Sequence, residues 1–174
     1  MHIIVDGYNL IRQSDFLRRC EKQSLEAGRR ALIIALAEYK RKKGHRITVV
    51  FDGWEGGSIR EERDRQNNIN IIYSRRGEKA DDVVKRLSDS SQEETIVVTS
   101  DREIVSYVTR RNKVALSSPE FEMIMLKAGA EPAGDVFSKE NDMEEETDRP
   151  SGKKGPARRL RKAKRHLQAK ITKL

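Results

Sequence analysis

Apolar residues fall along this chain in short unbroken runs separated by longer stretches where they recur every three or four positions. The runs are residues 2–5 (HIIV), 47–51 (ITVVF), 69–73 (INIIY), 95–99 (TIVVT) and 113–116 (KVAL). They are rich in β-branched side chains and predict five strands. Between the first two runs, Leu25, Ala27, Leu32, Ile33, Leu36 and Tyr39 stand at helical spacing over residues 25–42, with Gly44 as a stop. Residues 80–87, 102–111 (Ile104, Val105 and Val108 on one face) and 119–127 also predict helices. The connection GWEGGSIREERDRQNN has no clear periodicity, and a partly helical segment from Ile59 is expected there. Strands that alternate with helices, and that read as continuous apolar runs, define an α/β fold. Its sheet is small and mostly parallel, with helices on both faces.

Charge divides the chain differently. Residues 1–130 carry a net +4, residues 131–148 a net −7, and residues 149–174 eleven Lys and Arg with no acid, within an overall +8. The acidic stretch and the SGKKGP that follows hold too few apolar residues to fold alone. The expected organisation is a folded domain over 1–130, a disordered linker over 131–155 and a basic helical tail over 156–174. In that tail Leu160, Leu167 and Leu174 form a narrow apolar stripe. Basicity of this kind points to polyanionic partners, nucleic acid or a ribonucleoprotein surface. No run is long enough to span a membrane, and the start, MHIIVDGYN, is not expected to be a signal peptide. A single cysteine, Cys20, rules out an internal disulfide framework and a multi-cysteine zinc site, and it suits a reducing cytoplasm.

The candidate chemistry lies where the strands end. HIIV ends in Asp6, ITVVF in Asp52 and TIVVTS in Asp101, while INIIY leads through SRRGEKA to Asp81 and Asp82. Parallel strands put these ends on one rim, where ligands of open α/β sheets bind. Aspartate after a strand also serves simply to cap the next helix, but four segments delivering acid to one edge point to a shared site. Clustered carboxylates repel unless a cation or proton neutralises them, and hard ions such as Mg²⁺ or Mn²⁺ prefer oxygen ligands. Asn9 could donate to a phosphate or orient a carboxylate. Thr99 and Ser100 offer hydroxyls beside Asp101. Arg75, Arg76, Lys79 and Arg102 flank the acids and could hold a polyanion. Trp54, the single tryptophan, could stack a base or pack on the rim. Tyr8 is expected in packing, and Cys20 has no partner of a nucleophilic kind.

The motifs VDGYN (5–9), VVFDG (49–53), GEKADD (77–82) and VVTSD (97–101) together resemble the YacP-like branch of the NYN domains, within the wider PIN-like nuclease group. The resemblance covers roughly residues 1–130; the acidic segment and basic tail lie outside it. It implies a small parallel sheet sandwiched by helices, an acidic Mg²⁺ or Mn²⁺ site at the strand ends, endonucleolytic cleavage of RNA, and association with the ribosome. By position, Asp6 and Asn9 match the first motif, Asp52 the second-strand acid, Asp81 the helix-start acid with Asp82 a further one, and Asp101 the acid of the last motif. The site expected on this basis has Asp6, Asp52, Asp81, Asp101 and Asn9 in catalysis. Asp6, Asp81, Asp101 and Asp82 hold metal, and Ser100, Arg75, Arg76, Lys79 and Arg102 contact substrate.

Two other enzyme classes fit less well. A haloacid-dehalogenase-type phosphatase needs a second aspartate two residues after the first, where this chain has Tyr8. A receiver domain needs paired acids near the first strand. The non-enzymatic alternative is an RNA- or ribosome-binding module whose acids only cap helices and whose basic tail does the binding.

Overall fold

The computed structural model describes residues 1–53, 58–130 and 174. Trp54, the acidic linker and the basic tail lie outside these residues, apart from Leu174. The elements described all belong to the unit Met1–Pro132. Six strands form its sheet: β1 (His2–Asp6), β2 (Arg46–Phe51), β3 (Glu62–Gln66), β4 (Ile69–Tyr73), β5 (Thr95–Val98) and β6 (Val114–Leu116). The helices are α1 (Gly7–Gln13), α2 (Asp15–Gln23), α3 (Leu25–Lys43), α4 (Ala80–Ser90), α5 (Arg102–Arg110) and α6 (Ser118–Ala130).

The strand order is β3-β4-β2-β1-β5-β6, parallel throughout except for β3, which runs antiparallel to β4. Every residue of β1 and β5 is buried, as required when both faces of a parallel sheet are covered. On one face Ile4, Val50, Ile72 and Val97 pack against Ala80, Val83 and Val84 of α4 and Ile104 and Val108 of α5. On the other face, α1 and α3 meet the sheet and α6 closes the layer. There Tyr39 of α3 sits edge-on to Phe121 of α6, ring centroids 5.4 Å apart. Full burial of one such aliphatic or aromatic side chain contributes about 1.5–3 kcal/mol, so these two cores, rather than surface ion pairs, hold the fold.

The connection before β4 is not the partly helical crossover that the sequence suggested. It contains β3, joined to β4 by the two-residue turn Asn67–Asn68, where Gln66 pairs with Ile69. Both asparagines have positive φ, 49° and 64°, the conformation that a two-residue hairpin turn demands and that asparagine tolerates. All five β3 residues are exposed, so this edge strand carries no alternating apolar pattern to betray it. Helices α1 and α2 were also not foreseen. Serines separate them: Ser14 caps α2 by accepting from the Leu17 amide at 3.2 Å, and Ser24 caps α3 by accepting from the Ala27 amide at 3.0 Å.

Candidate active site

Two connections leave the sheet in opposite directions at β1 and β5. From β1 the chain returns to β2, and from β5 it moves on to β6. The carboxyl ends of β1 and β5 therefore flank a topological switch point, where open α/β sheets form their ligand crevice. Asp6 stands at one side of this crevice and Asp101 at the other.

A continuous set of hydrogen bonds joins them. The Asp6 carboxylate accepts from the Asn9 amide at 3.2 Å through Oδ1 and from the Thr99 hydroxyl at 3.1 Å through Oδ2. Thr99, fully buried, accepts in turn from the Asp101 amide at 3.1 Å. The Asp101 carboxylate then caps α5, accepting from the Glu103 amide at 2.7 Å and the Ile104 amide at 3.3 Å. Asn9 turns its side chain the other way. Its Oδ1 accepts from the Ser100 amide at 2.9 Å and the Ser118 hydroxyl at 2.8 Å. The Ser100 hydroxyl accepts from the Ser118 amide at 3.2 Å. So Asn9 and Ser100 pin α1, the β5–α5 turn and the start of α6 together, and the backbone of Asn9 helps to aim Asp6.

Asp52, exposed at the end of β2, reaches across to the next helix: its Oδ1 accepts from the Ala80 amide at 2.6 Å. The first orphan donor of α4 is thus held by an acid from another strand. Neither Asp81 nor Asp82 is the cap; both lie in the first turn, where negative charge suits the helix dipole.

The two acid-glycine pairs have a steric cause. A Cβ on Gly7 would sit 2.3 Å from the Phe51 ring, and one on Gly53 would sit 2.1 Å from the Ser74 carbonyl oxygen. Each glycine lets backbone approach a neighbour at the point where the preceding aspartate leaves its strand. The Gly53 amide also donates to the Ser74 hydroxyl at 2.9 Å.

Electrostatics ties the acids into one group. Burial pushes the Asp6 carboxyl up to about 6, and the charges of Asp81 and Asp52 push the same way. The Asp81 carboxyl is also raised, by burial first and then by Asp101, with Asp52 adding to it and Lys85 opposing. Asp82 lies one position further along the same turn. It is exposed on the outer face of α4 beside Lys85, Arg86 and Asp89. Among the described residues no three His, Cys, Asp or Glu side chains close around a single point as a dedicated cage would. The donor set nevertheless suits a hydrated hard cation, because Mg²⁺ keeps several waters and uses only one or two carboxylates directly.

The basic residues singled out in the sequence stand in the turns at this edge, all exposed. Arg75 pairs with Glu78 at 3.3 Å, Lys79 precedes α4 and Arg102 opens α5. The amide of Arg76 donates to the Ser58 carbonyl at 3.0 Å. One cation that the sequence reading missed lies deeper. Arg29 of α3 donates from Nε to the Tyr8 hydroxyl at 2.7 Å and lies over the rings of Tyr8, Phe51 and Tyr73. Its signal was present: Arg29 falls on the apolar stripe of its helix, four residues after Leu25 and four before Ile33.

A mostly parallel α/β domain with a rim of mutually repelling carboxylates at its switch point is consistent with a nuclease-type fold. The YacP-like NYN domain model matches residues 3–168, and the chain belongs to that family. The match runs past residue 130, where the motif resemblance stops, and takes in the acidic segment and most of the basic tail, which that resemblance leaves outside the family pattern. The uncharacterised protein YacP of Bacillus subtilis is 31% identical over 88 residues, 51% of each chain; the match thus spans about half the length of that curated relative. Crystal structures of Rae1 (YacP) from Bacillus subtilis are similar in fold. One, of a Trp-to-Leu mutant, has a TM-score of 0.63 at 24% identity, covering 74% of this chain and 76% of that one. The other has a TM-score of 0.61 at 24% identity, covering 74% and 75%.

Proposed function

We propose that this protein is a metal-dependent endoribonuclease that hydrolyses RNA phosphodiesters at the rim formed by Asp6, Asp52, Asp81 and Asp101, acting in the cytoplasm on ribosome-associated mRNA. The observation that carries this reading is the convergence on one rim of acids delivered by separate elements, with Asp6 buried and raised to about 6, by that burial first and by its acidic neighbours after it. A structural cap has no need of that burial. Asp6, Asp81 and Asp101 are the residues to hold Mg²⁺ or Mn²⁺, with Asp52 beside them and Asp82 outside the group. When bound, such an ion lowers the pKa of a water and offsets charge developing on the phosphate.

The chain's own residues supply position. The Asn9 amide and Thr99 hydroxyl fix both oxygens of Asp6, so its lone pairs toward the crevice are oriented before substrate arrives. The Thr99–Asp101 bond fixes the spacing across the switch point. Asn9, Ser100 and Ser118 keep that spacing rigid. Arg75, Arg76, Lys79 and Arg102 surround the acids with positive charge for the flanking phosphates, and the basic tail over 156–174 adds affinity for RNA or the ribosome.

A second reading is favoured by one observation. Asp6, Asp52 and Asp101 each accept from a helical amide, which is all that a non-catalytic RNA-binding module would ask of them. The test is cleavage of end-labelled mRNA in a translating extract with Mg²⁺ or Mn²⁺, comparing wild type with Asp6→Asn and Asp101→Asn. Cuts made by wild type only, leaving 5′-phosphate and 3′-hydroxyl ends, are expected. A 2′,3′-cyclic phosphate product would overturn the water-attack chemistry. Equal RNA binding by all three proteins with no cutting would favour the binding module.

A further inference from the structure

The molecule has a cleft of about 580 Å³ that meets the carboxylate rim at Asp52 alone, with Asp6, Asp81 and Asp101 outside its lining. Its walls are α3 on one side and the β3–β4 hairpin with the ends of β2 and β4 on the other. Arg29 and Arg30 come from α3 and Arg60 from the segment before β3, with Tyr73, Ser58 and Ser74 between them. Three guanidinium groups thus line a space that opens next to a proposed catalytic acid.

Arg29 is the informative one. A charge on the apolar stripe of a helix is unfavourable unless it gains partners or does something. Here its guanidinium donates from both Nε and Nη2 to the Tyr8 hydroxyl, so that edge is occupied and a ligand would meet Nη1 and the far side of Nη2. It also lies over three aromatic rings, between 5.4 and 5.7 Å from their centroids. The rings of Phe51 and Tyr73 are themselves stacked. This clamp fixes the plane of the guanidinium before any ligand arrives. A planar, pre-oriented fork is what recognises phosphate oxygens two at a time. Three acids, Glu26, Asp52 and Glu62, also line the cleft against its three arginines, which limits free anions and favours a ligand with polar sugar and base edges as well as phosphate.

We infer that this cleft holds a nucleotide of single-stranded RNA adjacent to the scissile bond, with Arg29 and Arg60 on its phosphates. The inference rests on the nuclease reading for the direction of the strand but not for binding itself. The volume lies within the about 300–1,000 Å³ of ordinary ligand pockets, enough for a nucleotide and too small for a duplex, so the cleft selects single strands.

The test uses the full chain with Asp101→Asn to prevent turnover, a fluorescent oligouridylate and, as a control, a hairpin duplex of RNA. Affinity is followed by anisotropy over a range of salt. Arg29→Gln and Arg60→Gln are each expected to weaken oligouridylate binding roughly tenfold and to flatten the slope of log affinity against log salt by about 0.7. Duplex binding should be unchanged. Unaltered affinity and slope in both variants would overturn the inference, as would an equal loss on duplex RNA. If Arg29→Gln unfolds the protein, the exposed Arg60 decides alone. Loss of binding in these variants of a wild type that cuts no RNA would sink the nuclease reading and leave the subsite standing. Full cleavage with an unchanged KM in both variants would do the reverse.

Discussion

Asp6 sets stability against chemistry within one side chain. It is 7% exposed and is raised from 3.8 to about 6. A carboxyl raised on folding favours the fold while protonated. That contribution is complete below its unfolded value and is lost as pH rises through about 6, so the ionised group weakens the cation-free protein by up to about 3 kcal/mol at neutral pH. Asp6→Asn keeps an acceptor for the Asn9 amide and removes the charge, although the Thr99 hydroxyl must reverse its bond. The variant should be about 1–2 kcal/mol more stable than wild type near neutral pH in chelator while losing cleavage. Urea unfolding checks it, and the gain should shrink as pH falls towards 4. His2, at the opposite rim, works with the other sign. Burial and the Arg46 charge lower its imidazole from 6.5 to about 4, and its Nε2 is 2.9 Å from the Thr48 hydroxyl. Its contribution is complete above its unfolded value and is lost as pH falls from 6.5 towards 4. Unfolding titrations over that window should show a decline in wild type that His2→Gln flattens.

At the scale of elements, the question is whether an acid at a strand end is a cap, a catalyst or both, and Asp52 can be divided. Its Oδ1 holds the Ala80 amide; a neutral carbonyl can do the same, but it lacks the negative charge that makes a carboxylate a strong ligand for a divalent cation. Asp52→Asn should therefore keep its stability and lose activity. Asp52→Ala should lose activity and also about 1 kcal/mol, the ordinary value of a helix cap. Thermal unfolding beside a cleavage assay separates them, and equal destabilisation by both would show that the charge itself supports α4. The same elements show why much of the site was readable before the fold was known. A buried parallel strand writes itself as a β-branched run, and the residue that ends the run marks the rim of the sheet, so the positions of Asp6, Asp52 and Asp101 at that rim could be read from sequence. The hairpin strand β3 could not. An edge strand with all five residues exposed has no core to face, and its one signal was the asparagine pair in the turn. In α2 only Leu17 is buried, too little for a helical stripe. The linkage of Asn9 to Ser118, 109 positions apart, depends on where α6 returns, which no local pattern encodes. Arg29 was legible as a charge out of place on an apolar face, but its three ring partners come from separate elements.

For the whole molecule, the imbalance of charge becomes a kinetic matter. Of the net +8, residues 149–174 supply eleven positive charges and no acid, so the chain without them carries a net −3. The folded part over 1–130 carries only +4 and the segment 131–148 a net −7, so a chain without the tail, with an acidic working edge, should meet a polyanion slowly. The proposed function then divides capture, assigned to the tail, from cutting, assigned to the rim. Each phosphate neutralised on a single strand contributes about 0.7 to the slope of log affinity against log salt, and long-range attraction of this kind also raises the association rate. Truncation after residue 148 is accordingly expected to lower RNA affinity by at least about tenfold at low salt, to flatten the salt slope by several units and to slow association. The cleavage rate at saturating RNA should be within about twofold of the full chain, because the Asp6–Thr99–Asp101 arrangement lies wholly within Met1–Pro132. Stopped-flow association and single-turnover cleavage measure the two parts separately. A truncated protein that still associates quickly would move capture onto the rim cations Arg75, Arg76, Lys79 and Arg102. One that binds well at high RNA concentration yet fails to cut would make the tail part of the catalytic assembly.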